Sequence, residues 1–300
     1  MSHLLAIVIP YFKFDFFEAT LQSLANQTDK RFHVYIGDDA SKDNCTILLN
    51  KYKGDFNFTY KRFDKNLGSI SLVQQWERCM HSVNEEEWLM LLGDDDVLGD
   101  NVVAAFYNYL DEINKEHINV IRYATQVIDG KGVALSKKHY HPVKETAIDF
   151  LIRKYKGGTR SSLSEYIFRK DVVDTIKFKD FPLAWSSDVL GVIEFSHNGY
   201  IYTINDALVF FRLSDKNITG QKDSVEKNEA WFQFYDYLLY NYGKQYPKKL
   251  QNILFDRLEK VQLNHKKTPK RWLKIFKLYF VFSQYSRFFT IGVKIKKSFT

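Results

Sequence analysis

The chain has 300 residues, 45% of them apolar and 26% charged, with a formal net charge of +7. Such a chain folds as two modest domains or as one large domain with an appendage, which excludes disordered and fibrous classes. The charge is uneven: residues 240–300 hold 15 Lys and Arg against 2 acids, leaving 28 bases against 34 acids before them, so a nucleic-acid groove across the whole protein is excluded.

In chain order, Leu4-Leu5-Ala6-Ile7-Val8-Ile9 reads as a buried strand closed by Pro10-Tyr11. The run is too short for a signal peptide and leads directly into a patterned helix. Phe17, Leu21 and Leu24 recur at helical spacing, with Asp15 as the expected N-cap. A second strand, Phe32-His33-Val34-Tyr35-Ile36, stops at Gly37-Asp38-Asp39-Ala40-Ser41. A helix over 44–53 and a strand over 56–62 follow. Asn66-Leu67-Gly68 makes a turn, and Ile70, Val73, Met80 and Val83 mark the next helix. The apolar run Trp88-Leu89-Met90-Leu91-Leu92 then stops at Gly93-Asp94-Asp95-Asp96. A helix over 100–116 and a fifth strand, Val120-Ile121-Arg122-Tyr123, complete this half.

Strands alternating with helices predict a mostly parallel sheet flanked by helices. Ligands of such sheets bind beyond the carboxyl ends of the strands. Parallel strands would bring the acids of 38–39 and 94–96 to one edge. Three adjacent carboxylates repel one another, and a divalent cation holding a phosphorylated ligand is the strongest reason to keep them together. The plainer alternative is two acidic turns, since Asp favours turns and helix caps.

The second half is less regular. Asp129-Gly130-Lys131-Gly132 reads as a hairpin turn. Gly157-Gly158-Thr159-Arg160-Ser161-Ser162 reads as a loop, a linker more than a hinge. Tyr166-Ile167-Phe168 is a strand, Trp185-Ser186-Ser187-Asp188 precedes a helix, and residues 200–204 and 208–211 form two short strands closed by Arg212. From about residue 223 the pattern is helical. The two cysteines, Cys45 and Cys79, give no disulfide framework, which points to a reducing cytoplasm.

This order of signals resembles the family 2 inverting glycosyltransferases of the GT-A fold, a Rossmann-like architecture for nucleotide-diphospho-sugar transfer. The resemblance spans roughly residues 4–220, which predicts a catalytic domain over 1–220 and a helical basic region over 221–300. It rests on Val8-Ile9-Pro10-Tyr11-Phe12, Asp38-Asp39-Ala40-Ser41, Asn66-Leu67-Gly68, Leu92-Gly93-Asp94-Asp95-Asp96, and Phe210-Phe211-Arg212 with Ser214 and Asn217 beyond. The chain departs from the family pattern in three places. Lys13 follows Phe12 where Pro-x-Tyr-Asn is common, Gly93 stands where an acid is common, and Ser187 precedes Asp188 where an acid pair is common.

The resemblance implies a nucleoside-diphosphate sugar donor, UDP-linked, and a divalent metal, Mn2+ or Mg2+. It implies an acceptor that is a surface polysaccharide, lipopolysaccharide or lipid-linked glycan. Asp38 would accept the uracil N3–H, with Asp39 beside it in the turn. Pro10 and Tyr11 would border the base, with Tyr11 or Phe12 stacking on it or serving as a core aromatic. Asp95 aligns with the metal-binding aspartate. Asp96 joins it as a metal candidate and Asp94 as a donor contact, although the residues leave the roles of Asp94 and Asp96 interchangeable. Asp188 would take the acceptor hydroxyl proton during in-line attack, or else cap its helix. Arg212 would contact the diphosphate or form a salt bridge. Arg160 and His197 are weaker candidates.

A nucleotidyltransferase would also use strand-end acids and metal, but it would show a Gly-rich basic loop after the first strand, and Pro10-Tyr11-Phe12-Lys13 is not one. A non-catalytic membrane module built around the tail is the other rival. In that tail Trp272, Ile275, Phe276, Tyr279 and Phe280 share a helical face opposite Lys270, Lys274 and Lys277. This is the pattern of an interfacial helix on an anionic membrane, here the cytoplasmic face of the inner membrane, or of a helix packed on the protein.

Overall fold

The computed structural model describes residues 4–215, 224–265 and 267–297, without the side chains of 294–297. Asn217 lies outside the described residues. Contacts divide the chain into two compact units: Met1–Asp180 with Ser187–Gln221, and Phe181–Ser186 with Lys222–Thr300.

The first unit is built on a sheet of nine described strands. It opens with β1 (Leu5–Tyr11), α1 (Phe17–Ala25), β2 (Phe32–Asp38), α2 (Thr46–Lys51), β3 (Asn57–Arg62), α3 (Leu72–Met80) and β4 (Trp88–Leu91). It continues with β5 (Val97–Leu98), α4 (Val102–Lys115), β6 (Val120–Ile128), β7 (Lys144–Thr146), α5 (Ala147–Tyr155), β8 (Tyr166–Arg169), α6 (Lys170–Ile176), α7 (Ser187–Phe195) and β9 (Tyr200–Arg212). The strand order is β3-β2-β1-β4-β8-β6-β9-β5, with β7 added on β9. Strands β1 to β4 are all parallel. Beyond β4 the sheet is mixed: β8 runs antiparallel to both β4 and β6, whereas β6 and β9 are parallel.

Chain order reverses direction between β1 and β4, the position where open α/β sheets bind ligands. Parallel pairing puts the carboxyl ends of β1, β2 and β4 on one edge, so the 38–39 and 94–96 acids share it. Pro10 fits because the Val8 carbonyl already faces β4, accepting from Leu92 N at 2.9 Å. Two residues on, the Pro10 nitrogen faces the same side, where β4 has ended, and its missing proton costs no ladder bond. The apolar alternation buries Leu5, Ile7, Ile9 and Tyr11 in one core with Trp88, Met90 and Phe106.

Three local expectations change. Helix α1 starts at Phe17, and Phe16 holds the cap position without a side-chain cap bond, so Asp15 is not the N-cap. Ile70 is 81% exposed and precedes α3, which Ser71 caps through Gln74 N. The two short strands are one, β9, whose register against β6 shifts between Tyr123 and Ala124 to accommodate Asn205, Asp206 and Ala207. Both cysteines are buried free thiols.

The second unit contains α8 (Val225–Asn241), α9 (Lys248–Asn264), α10 (Pro269–Val281) and α11 (Tyr285–Lys297). Among the described residues, no helix is long and apolar enough to cross a membrane.

Beneath β6 and β9 lies a buried ion cluster. Arg122, fully buried, meets Glu145 at 3.0 Å and Thr203 Oγ1 at 2.9 Å, and Arg153 of α5 meets the same carboxylate at 2.6 Å. Glu145 thus ties α5 to the sheet. Its removal strands two cations in a low dielectric, so Glu145→Ala is expected to lower the free energy of unfolding by about 3–5 kcal/mol, read from urea denaturation.

Candidate active site

The site begins where β4 ends. Asp94 turns back toward β1, and its Oδ2 accepts from Phe12 N at 2.8 Å and Lys13 N at 2.7 Å. Ser41, just past β2, donates from Oγ to the Phe12 carbonyl at 2.7 Å. The ends of β1, β2 and β4 are thereby joined by side chain to backbone bonds.

The three acids, interchangeable in sequence, are distinct in space. Asp96 is 3% exposed. Its Oδ1 accepts from Arg212 N at 2.8 Å and its Oδ2 from the Ser164 hydroxyl, which itself accepts from Gly93 N at 3.0 Å. Asp96 therefore ties the acidic turn to the start of β8 and the end of β9, a positioning geometry more than that of an open ligand. Thr20 of α1 donates to the Asp96 carbonyl at 2.8 Å and fixes the turn from below. Asp95 lies between the two and is half-buried. Burial, then the Asp95 charge, pushes Asp94 up to about 6. The same two causes raise Asp96. Gly93 is small for a reason: a Cβ there would lie 3.1 Å from Asp95 Oδ1 and 3.2 Å from Asp96 Oδ2.

At the β2 end, Asp38 is fully buried. Its Oδ1 accepts from Ser41 N at 2.8 Å, and its Oδ2 from Tyr60 OH at 2.6 Å and Arg62 Nη1 at 2.7 Å. Tyr60 and Arg62 alternate on one face of β3, and Arg62 pairs in register with Asp38. Asp39 accepts from Leu67 N at 2.7 Å and Gly68 N at 2.9 Å, and pairs with Arg78. A Cβ at Gly68 would come within 2.6 Å of Asp39 Oδ2, so the Asn-x-Gly turn needs its glycine for this clamp.

Tyr11 is fully buried, its ring 4.5 Å from Phe17 and its hydroxyl donating to the Asp43 carbonyl at 3.2 Å. It is a core aromatic, so stacking on a base is corrected away from Tyr11. Phe12, at the strand end, is 38% exposed and stays available. Arg212 is 3% exposed; Nε donates to the Asp95 carbonyl at 2.8 Å and Nη1 to the Asp129 carbonyl at 2.7 Å, above the Phe16 ring. It binds the acidic turn to the 129–133 hairpin, so its guanidinium is used as a strut. His197 is exposed at the end of α7, where its backbone is left-handed.

Asp188 sits in the first turn of α7. Three non-glycine residues just before it, Leu183, Ala184 and Ser186, have positive φ, conformations that cost energy and concentrate at functional positions. Burial raises the Asp188 carboxyl, opposed first by the charge of Lys154 on α5. Arg160 pairs with buried Glu165 at 3.2 Å, lies over the Phe211 ring, and acts electrostatically on both Asp96 and Asp188. Sequence reasoning passed over Tyr60, Arg62, Lys154 and Ser164. Only the period-two spacing of Tyr60 and Arg62 carried a signal.

Among the described residues, no three His, Cys, Asp or Glu side chains converge as a complete metal cage. A cation here would draw its remaining ligands from a phosphorylated molecule.

The model of glycosyl transferase family 2 matches residues 6–170. No curated protein sequence matches the chain. Among solved structures, residues 1–349 of S. aureus TarS, crystallised with UDP-GlcNAc, superpose with a TM-score of 0.62 at 16% identity, over 88% of this chain and 73% of that one. The mannosyltransferase PcManGT from Pyrobaculum calidifontis, with GDP-Man and Mn2+, gives 0.51 at 11% identity over 94% and 75%. GalNAc-T7 with UDP, GalNAc and Mn2+ gives 0.52 at 11% identity over 90% and 57%. The shared architecture is the GT-A fold.

A carboxyl whose folded pKa exceeds its unfolded value stabilises the fold at low pH, and that stability is lost as pH rises toward the folded value. For Asp94 the window runs from the ordinary carboxylate range to about 6. In chelator-treated protein, Asp95→Asn should therefore be more stable than the native chain at pH 7, by about 1 kcal/mol. The advantage should vanish near pH 4, as followed by thermal melts across pH.

Proposed function

Because the chain belongs to glycosyl transferase family 2, and is a glycosyltransferase, we propose that it transfers a sugar, with inversion, from a nucleoside-diphosphate donor to a hydroxyl of a surface or lipid-linked glycan. The observation that carries this reading is the joining of three parallel strand ends through Asp94, Ser41 and Phe12.

The donor nucleotide would lie over the ends of β1 and β2. Phe12 offers its exposed ring to the base. Asp38, fully buried and engaged by Ser41, Tyr60 and Arg62, would shape the edge of the uracil site from behind instead of accepting its imide, and Arg62 is half-exposed beside it. TarS and GalNAc-T7 were crystallised with UDP or a UDP-sugar, which supports a UDP-linked donor here.

The acidic turn suits a divalent cation. Its carboxylates are raised by burial and mutual repulsion, a penalty that a hard dication with oxygen ligands relieves. Asp95 is the residue that would hold Mn2+ or Mg2+, with Asp96 fixing the turn behind it. The ion would act as a Lewis acid toward the leaving diphosphate. Asp94 and Arg212 hold the turn in place while the leaving group develops charge.

Asp188 takes the proton of the acceptor hydroxyl. Burial raises it above the ordinary carboxylate range, which favours proton acceptance. The charge of Lys154 tempers that rise.

A panel of nucleotide sugars, scored by nucleoside-diphosphate release with and without Mn2+, identifies the donor. Asp188→Asn is expected to bind donor normally while losing transfer by at least about a hundredfold; undiminished turnover would remove it from the mechanism. Lys154→Met should raise the Asp188 pKa further, moving the acidic limb of the pH–rate profile to higher pH. An unmoved limb would separate Lys154 from the base.

A further inference from the structure

The second unit carries a surface that sugar transfer does not use. Helix α10 has two faces. Inward, Ile275 and Tyr279 are buried, and the Tyr279 hydroxyl donates to Glu259 at 2.9 Å. These two belonged to the expected membrane face, and the packing of the unit claims them instead. Outward, Leu273 is 66% exposed, Phe280 59% and, on α11, Phe289 77%.

These outward residues are not scattered. Rings run in contact from Trp272 to Phe276 at 6.1 Å, on to Phe288 at 5.3 Å and to Phe280 at 5.8 Å, with Phe289 beside Phe288 at 5.8 Å. The strip is exposed at Phe280, Phe288 and Phe289 and half-buried at Trp272 and Phe276, and exposed contiguous apolar surface marks an interaction site. The cations beside it divide by role. Arg271 pairs with Glu229, Lys274 with Asp236, and Arg287 with Asp256 and Glu259. Those pairs consume four of the few acids of this unit, while Lys270 and Lys277 stand exposed on the rim of the aromatic strip.

We infer that α10 and α11 form a docking face for an anionic lipid bilayer, lying in the headgroup layer without spanning it. Aromatic rings with lysines beside them match that layer: rings enter the acyl boundary and ammonium groups meet lipid phosphate. A second copy of the chain fits poorly, because two surfaces with 15 bases against 2 acids over residues 240–300 would repel. The inference is independent of the donor and of the catalytic base.

The test is flotation of the full chain with vesicles of phosphatidylcholine alone or mixed with phosphatidylglycerol. The expected result is binding to the mixed vesicles only, weakened by salt. Phe280→Ser with Phe289→Ser should release the protein. Lys270→Gln with Lys277→Gln should weaken partition roughly tenfold or more. Both pairs are surface changes, so unchanged circular dichroism and melting confirm the fold. No flotation of the native chain, or equal flotation of native and variant chains, overturns the proposal. So does a dimer in sedimentation velocity that the phenylalanine pair dissolves, since the strip would then be a self-association face.

Discussion

Three consecutive carboxylates at the end of a buried strand are the constraint around which the first unit is arranged. Left alone they would repel and pull the turn apart. The fold instead gives each one different surroundings. Asp94 receives two amides from the β1 end. Asp96 receives a hydroxyl and an amide from segments far along the chain. Arg212 grips the Asp95 carbonyl, so its cation neutralises the turn from behind instead of reaching across the site. Two of the acids thereby hold the turn to distant segments, and the one between them is the proposed cation ligand.

The β2 end repeats this logic with other partners. Asp39 is wholly engaged by the 67–68 amides and Arg78, and Asp38 by Tyr60, Arg62 and Ser41. Charge-assisted bonds of this kind are the strong ones, and here they fix the loops at the carboxyl end of β2. Asp39 also ties two separate motifs together in this chain: the glycine of Asn66-Leu67-Gly68 makes room for its carboxylate.

Fold class was legible because it lives in periodicity and in the order of strands, helices and turns. The strand ends were legible too, since parallel pairing puts them on one edge whatever the details. What the sequence hid depends on contacts between distant residues. Nothing in the local pattern distinguishes Tyr11, which the β1 alternation turns into the core, from Phe12, which it turns out. Nothing local predicts that Ser164 closes on Asp96 across the sheet, or that Lys154 on α5 tempers Asp188 on α7. The antiparallel insertion of β8 between β4 and β6 was equally hidden, because strand direction within a mixed sheet is not written in the strand itself. In the helical region, spacing found the apolar face of α10 but could not divide it. Packing took Ile275 and Tyr279 inward and left Phe280 outside.

The loss of the usual acid at Gly93 follows from the same crowding. A side chain there would press against the carboxylates of both Asp95 and Asp96, and Gly93 N already donates to Ser164, the hydroxyl that holds Asp96. An acid at 93 would add a fourth negative charge to the turn. Asp94 instead lies one residue later, bound to β1, where its charge is met by two amides. The turn thus keeps three acids within one electrostatic field, with Asp95 half-buried between the other two. The proposal of Asp95 as the cation ligand rests on that place in the turn, between two acids whose carboxylates hold other segments.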